Sequence, residues 1–335
     1  MNNSKKAKVK IWRTFPGTFW VANLMELFER GAYYGMNSVL AVYLVKVLHF
    51  QEHSVGFLQG FVYALTYIMP SFGGALAERL GYRKMLLVAF SLLTVGYFAT
   101  GNFTSYGLIF LFLLIMATGS GLFKPIISGT IARTTTEENS GFGFGVYYWS
   151  IDLGAFLAPL FISWVKGFSW KYVFFSSAVW CFLMLLPAAF LYKEPPRPES
   201  TKTIRQVLSE ALLVLRDSRF MLLIVIYSCF WILYFQMFGS VLWYLRDFIY
   251  RAPVDKFMAS LGIPFAFDAE HVTVINAGTI ILLVVFISRL TKNLKPLPVM
   301  SAGIIFGMIG FIICLLYTSD AADEGLGVDL GGRRI

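Results

Sequence analysis

The sequence predicts an all-α, polytopic membrane protein, and three observations carry that expectation. Apolar residues make up 57% of the 335-residue chain and charged residues only 14%, where a soluble domain is nearer one-quarter charged. Mean hydropathy is +0.68. Apolar runs of about 20 residues, enough at 1.5 Å per residue to cross a bilayer core, recur along the whole chain.

Taken in order, nine spans are expected, at roughly 15–45, 54–77, 85–102, 105–131, 142–165, 170–192, 220–246, 271–290 and 297–317. The first is apolar apart from the string MELFERGAYYG. The second and third are separated by a short basic stretch, and the sixth ends where KEPPRP begins, since proline and the residue before it cannot continue a helix. With the N-terminus on the inner side, eighteen of the 28 Lys and Arg residues fall in inner segments and six in outer ones. That three-to-one bias predicts a multi-pass protein of the plasma (inner) membrane with a cytoplasmic N-terminus. The polar stretch after the sixth span carries Leu208, Leu212 and Leu215 at helical spacing among charges, which predicts an amphipathic helix on the inner surface. The expected organisation is a six-helix bundle over 1–192, a linker over 193–219, and helices of a second bundle over 220–313, the plan of a two-bundle transporter.

The same residues exclude other classes. The formal charge of +9 sits in short clusters between apolar runs, so it reads as loop charge and not as a nucleic-acid footprint. Cys181, Cys229 and Cys314 lie inside apolar runs and form neither a disulfide framework nor a metal spacing. No phosphate-cradling G-x-x-x-x-G-K-[ST] is present, and no cofactor is expected. His49 and His53 lie four apart near Glu52 but have no further ligands in the sequence. GFGFG at 141–145 follows no strand, so its glycines are read as helix-packing positions.

Two strings stand out. Between the second and third spans, GGALAERLGYRKMLL combines small residues with Gly74, Glu78, Arg79, Gly81, Arg83 and Lys84, and predicts a charge cluster at the membrane edge. In the first span, Glu26, Glu29, Arg30, Tyr33 and Tyr34 recur at i, i+3, i+4, i+7 and i+8, one polar stripe on an apolar helix. Ionisable groups at that depth cost a few kcal/mol or more and mark substrate or proton pathways, the alternative being a structural ion pair that seals two helices.

The first of these strings resembles the loop signature of the major facilitator superfamily, with Glu78 where that signature usually has Asp. The first-span stripe resembles the ExxER…YYG motif of the proton-dependent oligopeptide transporter family. GSGLFKPIIS in the fourth span, YYWSIDLGAF in the fifth, Tyr63 in QGFVYALTYIMP and Asn276 in HVTVINAGTIIL are similar to further strings of that family. The resemblance implies a major facilitator fold and proton-coupled symport of di- and tripeptides or similar small zwitterions. It implies proton coupling at Glu26, Glu29 and Arg30, a positive patch for the peptide carboxylate at Arg30 and Lys124, and a cavity lined by Tyr33, Tyr34 and Tyr63, with Asn276 opposite. Physical chemistry agrees, because guanidinium offers a carboxylate a planar fork. Pro125, beside Lys124, is expected to break the helix ladder locally and bend the span.

Two departures matter. Asp152 stands where the family has Asn, and Phe235 precedes Gln236 where the family has an acid. Either the proton-linked acid has moved to Asp152, which would also face substrate, or Asp152 pairs with Lys124 and holds two helices together. Three acids against two cations leave the site at −1, which one proton neutralises. One proton entering at roughly 150 mV supplies about 3.5 kcal/mol, roughly a 300-fold accumulation. Export or import of another small organic solute is the alternative within this architecture, and a non-transporting receptor or assembly partner is the alternative outside it. The end of the chain, LLYTSDAADEGLGVDLGGRRI, flips from apolar to Asp- and Gly-rich. Residues 314–335 are therefore expected to be a non-native tail, on a protein whose natural second bundle has about three more helices.

Overall fold

The structure is a computed structural model that describes residues 14–136, 138–196, 216–236, 244, 246, 252–262, 270–291, 294 and 296–326. Its helices are α1 (Gly17–Val42), α2 (Glu52–Leu80), α3 (Tyr82–Asn102), α4 (Tyr106–Thr134), α5 (Ser140–Lys166), α6 (Trp170–Leu186), α7 (Ser218–Phe235), α8 (Ala252–Ser260), α9 (Glu270–Thr291) and α10 (Pro296–Leu326). α1 and α6 run on into π-helical turns, Tyr43–Val47 and Pro187–Leu191. Among the described residues there is no strand. Nine of these helices match the nine expected spans, and α8 is an addition. The amphipathic helix expected around Leu208, Leu212 and Leu215 lies outside the described residues. α10 continues as helix through Leu326, beyond the residue 317 at which the ninth span was expected to end.

The chain forms two compact units, Met1–Ile281 and Leu282–Ile335. Within the first, α1 packs on α5, α4 and α6, while α3 packs on α4 and α6 and α2 on α4. These contacts are close because the crossing points carry small residues, the usual source of helix association where apolar burial offers no preference over lipid. A Cβ on Gly154 would lie 2.8 Å from the Leu27 carbonyl oxygen and 3.0 Å from the Gly31 nitrogen, so α1 and α5 touch backbone to backbone. Of the GFGFG glycines, only Gly143 has neighbours this close, at Thr135, Phe15 and Phe19.

Six described helices, α2 to α7 (α6 with its π turn), are long and apolar enough to cross a membrane. α1 is long enough but carries Glu26, Glu29 and Arg30 in its middle. The connection between α2 and α3 is a single residue. Gly81 has φ 106°, a conformation open to glycine and strained for any residue with a Cβ. The stretch read as a basic loop is thus two helix ends meeting at one glycine. Pro125 lies within α4, which continues uninterrupted through it, and packs on Gly73 and Gly74 of α2. A membrane helix tolerates the hydrogen bond that proline cannot donate, because the packing around it holds the helix together.

Candidate functional site

The polar stripe on α1 faces inward. Glu26, Glu29 and Arg30 are 1%, 0% and 4% exposed, a degree of burial that charged groups reach only when paired. The Arg30 Nε donates to Glu29 Oε2 at 2.5 Å, and its Nη2 also meets that carboxylate. The same Nε lies 3.4 Å from Glu26 Oε1. α4 supplies the remaining partner: Ser120 donates to Glu29 Oε1 at 2.8 Å and accepts from Arg30 Nη2 at 3.2 Å. Both oxygens of Glu29 are therefore engaged, whereas Glu26 Oε2 has no hydrogen-bond partner. One turn further along α1, the Tyr33 ring lies 5.2 Å from the Arg30 guanidinium, and Tyr34 packs edge-on against Tyr33 at 5.4 Å.

Lys124, half-buried on α4, holds its ammonium 4.5 Å from the centre of the Tyr67 ring, a cation–π contact that holds the charge without neutralising it. Tyr63, one turn before Tyr67 on α2, donates its hydroxyl to the buried Asn37 Oδ1 at 2.9 Å. Asp152 is half-buried on α5. Among the described residues no ion pair joins it to Lys124, so the helix-tying pair considered above is not formed. Asn276 on α9 donates to the Tyr234 hydroxyl at 3.2 Å. Phe235, at the end of α7, lies 5.4 Å from the Tyr63 ring and 6.0 Å from the Tyr67 ring.

A second cluster gathers where α2 and α4 end and α3 begins. Among the described residues the cation on Glu78 is Arg133, at 2.5 Å, and Tyr82 donates to the same carboxylate oxygen at 2.7 Å. The expected cluster of Glu78 with Arg79, Arg83 and Lys84 is thus rearranged. Arg79 follows Glu78 by one residue and leaves the helix about 100° away; it, Arg83 and Lys84 are exposed. Gly81 starts a new helix before Arg83, whose guanidinium donates to the Ala189 carbonyl while its backbone N–H donates to Glu194 at 3.0 Å. Thr18 donates to the Lys193 carbonyl at 3.0 Å at the start of α1.

Four contributors escaped the sequence reading: Asn37, Tyr67, Ser120 and Arg133. Two had a visible signal. Asn37 continues the α1 stripe seven residues after Arg30, and Tyr67 follows Tyr63 by four. Ser120 and Arg133 had none, because each meets its partner only when α4 packs against another helix.

The comparisons with known proteins agree with this geometry. The family model described as Major Facilitator Superfamily matches residues 22–324. Dipeptide and tripeptide permease A of Edwardsiella piscicida is 31% identical over 177 residues, covering 51% of this chain and 36% of the relative. The permease of that name from Escherichia coli (strain K12) is 29% identical over 181 residues, covering 52% and 36%. The matches thus span little more than a third of these curated relatives. Among solved structures, a bacterial homologue of the human drug peptide transporters PepT1 and PepT2 superposes with a TM-score of 0.66 at 22% identity, over 81% of this chain and 70% of that one. The peptide transporter POT in complex with sulfate gives 0.68 at 19% identity, over 84% and 69%. At that identity the structural likeness speaks for the fold, and the family match reaches across almost the whole sequence. A multi-pass membrane chain with this helix packing, matched from residue 22 to residue 324, belongs to the Major Facilitator Superfamily.

Proposed function

We propose that this chain forms the first bundle and helices of the second bundle of a proton-coupled symporter for di- and tripeptides or similar small zwitterions. It would lie in the inner membrane with its N-terminus in the cytoplasm, where its basic segments cluster. Residues 1–192 make up the first bundle, 193–219 the linker, and 220–313 contribute to the second. The observation that carries the reading is the buried Glu26–Glu29–Arg30 network on α1 beside the half-buried Lys124.

The chemistry follows from the count of charges and bonds. Two acids share one guanidinium, and Glu26 keeps one oxygen with no partner. A proton can settle there without breaking any bond already made, and doing so loosens the hold of Glu26 on Arg30. The guanidinium then has capacity for a substrate carboxylate, with Lys124 as a second positive point. With Asp152 included, the cluster carries one excess negative charge, so one proton per zwitterion leaves the occupied site neutral. A neutral cluster crosses between outward- and inward-facing states at lower cost than a charged one. Tyr33, Tyr34, Tyr63 and Asn276 would complete the contacts to substrate, and Gly74, Glu78, Arg79, Gly81, Arg83 and Lys84 would form the hinge where the bundle changes state.

Proteoliposomes test this directly. An imposed proton gradient, acid outside, should drive accumulation of a labelled dipeptide, and a protonophore should abolish it. Uptake that ignores the gradient would remove the coupling, and selective uptake of a non-peptide solute would remove the substrate.

A further inference from the structure

Phe235 brings a large apolar ring into a site otherwise built from polar groups, and two of the tyrosines beside it have hydroxyls engaged elsewhere. The Tyr63 hydroxyl is taken by Asn37, and the Tyr234 hydroxyl accepts from Asn276. What these tyrosines offer to Phe235 is ring: Tyr63 at 5.4 Å and tilted 33°, Tyr234 at 5.7 Å and edge-on. Trp231, one turn earlier on α7, lies 5.9 Å away. Tyr63 and Tyr67 are four residues apart on one face of α2, so Phe235 bridges two of its turns. Tyr67 is shared, with Phe235 edge-on at 6.0 Å and the Lys124 ammonium at 4.5 Å. An aromatic corner therefore adjoins the Lys124 ammonium, with the Tyr67 ring between them. Tyr67 keeps 52% of its surface exposed, which leaves room for an occupant.

We infer that Phe235 is a specificity-determining residue, selecting ligands that carry an aromatic or large aliphatic side chain beside the carboxylate held at Lys124. This rests on the peptide reading above. An apolar side chain entering the corner loses water and gains offset or edge-on ring contacts, whereas a charged or small polar side chain gives up water for a surface of rings, beside a Tyr63 hydroxyl that already donates to Asn37. Preference then arises from the corner, and the carboxylate contact is common to all peptides.

Isothermal titration of the purified 335-residue chain in lipid nanodiscs tests this with Ala-Phe, Ala-Ala and Ala-Glu. Ala-Phe should bind at least ~10-fold more tightly than Ala-Ala, about 1.4 kcal/mol. In Phe235→Ala that ratio should fall to within about twofold, while Phe235→Leu keeps an intermediate preference and guards against misfolding of the smaller variant. The C-terminal amide of Ala-Phe should lose most of its affinity in every variant. Equal binding of Ala-Phe and Ala-Ala, or a ratio unchanged in both Phe235 variants, would overturn the selectivity role and leave the peptide reading standing. No binding of any dipeptide up to millimolar concentration would overturn both.

Discussion

Two acid–arginine clusters in the first unit use the same chemistry in different surroundings. In the middle of α1, Arg30 and Glu29 have side-chain exposures of 5% and 0%; where α2 and α4 end, Arg133 and Glu78 have 20% and 33%. The inner cluster has no water to fall back on, so every missing partner is felt at full desolvation cost. The outer one can replace a lost partner with water, and its contribution is correspondingly small. The pair teaches that a charged motif is read by its depth: the deep cluster depends on every partner it has, and the shallow one can exchange partners with water.

Arg30→Ala should break that contrast most severely. It leaves two buried carboxylates with no cation, a change that costs about 3–5 kcal/mol for buried pairs. Uptake should vanish and the detergent melting temperature should fall sharply. Wild-type transport by this variant would take Arg30 out of the site.

Next in size is Glu29→Gln. Both oxygens of Glu29 are engaged, by Arg30 and Ser120, and charge-assisted bonds of this kind contribute about 1.5–3 kcal/mol each. Glu26→Gln, by contrast, replaces a carboxylate with one idle oxygen and should spare stability while uncoupling uptake from the proton gradient. Equal melting temperatures for the two variants would contradict the bond inventory.

Arg133→Ala samples the shallow cluster. Its loss should cost about 1 kcal/mol or less and leave dipeptide affinity by calorimetry unchanged, while altering the rate of uptake. A stability loss as large as that of Arg30→Ala would erase the distinction between the clusters.

Asp152→Asn should have the smallest effect on stability, since no ion pair ties Asp152 to Lys124. Its signature is in the pH profile. If Asp152 carries a coupled proton, uptake by the wild type falls as external pH rises and the Asn variant shows a flatter dependence. An unchanged profile would confine coupling to Glu26 and Glu29.

Several features were legible in the residues alone. The inner stripe follows from spacing, because positions 26, 29, 30, 33 and 34 share one face of any α-helix. The spans follow from composition, and α1 was recognisable although Glu26, Glu29 and Arg30 lie in its middle. Pro125 marks a limit of local reading: proline removes a bond in any helix, but in a membrane bundle the packing around it decides whether the helix ends there, and α4 continues through it. The basic stretch after α2 was not legible as two helix ends, since one glycine at positive φ joins two helices with no loop between them.

The sequence by itself therefore determined the class of the protein, the order of its membrane-length helices, and which face of α1 carries charge. Those properties depend on local periodicity and on the cost of polar groups in hydrocarbon, both written along a single stretch of chain. Only the tertiary structure decided that Ser120 completes the Arg30 network, that Arg133 rather than Arg79 holds Glu78, and that Phe235 closes an aromatic corner on Tyr63 and Tyr67. Each of these joins residues from different helices. Their meeting depends on crossing points set by small residues such as Gly31 and Gly154, and no single helix carries that information.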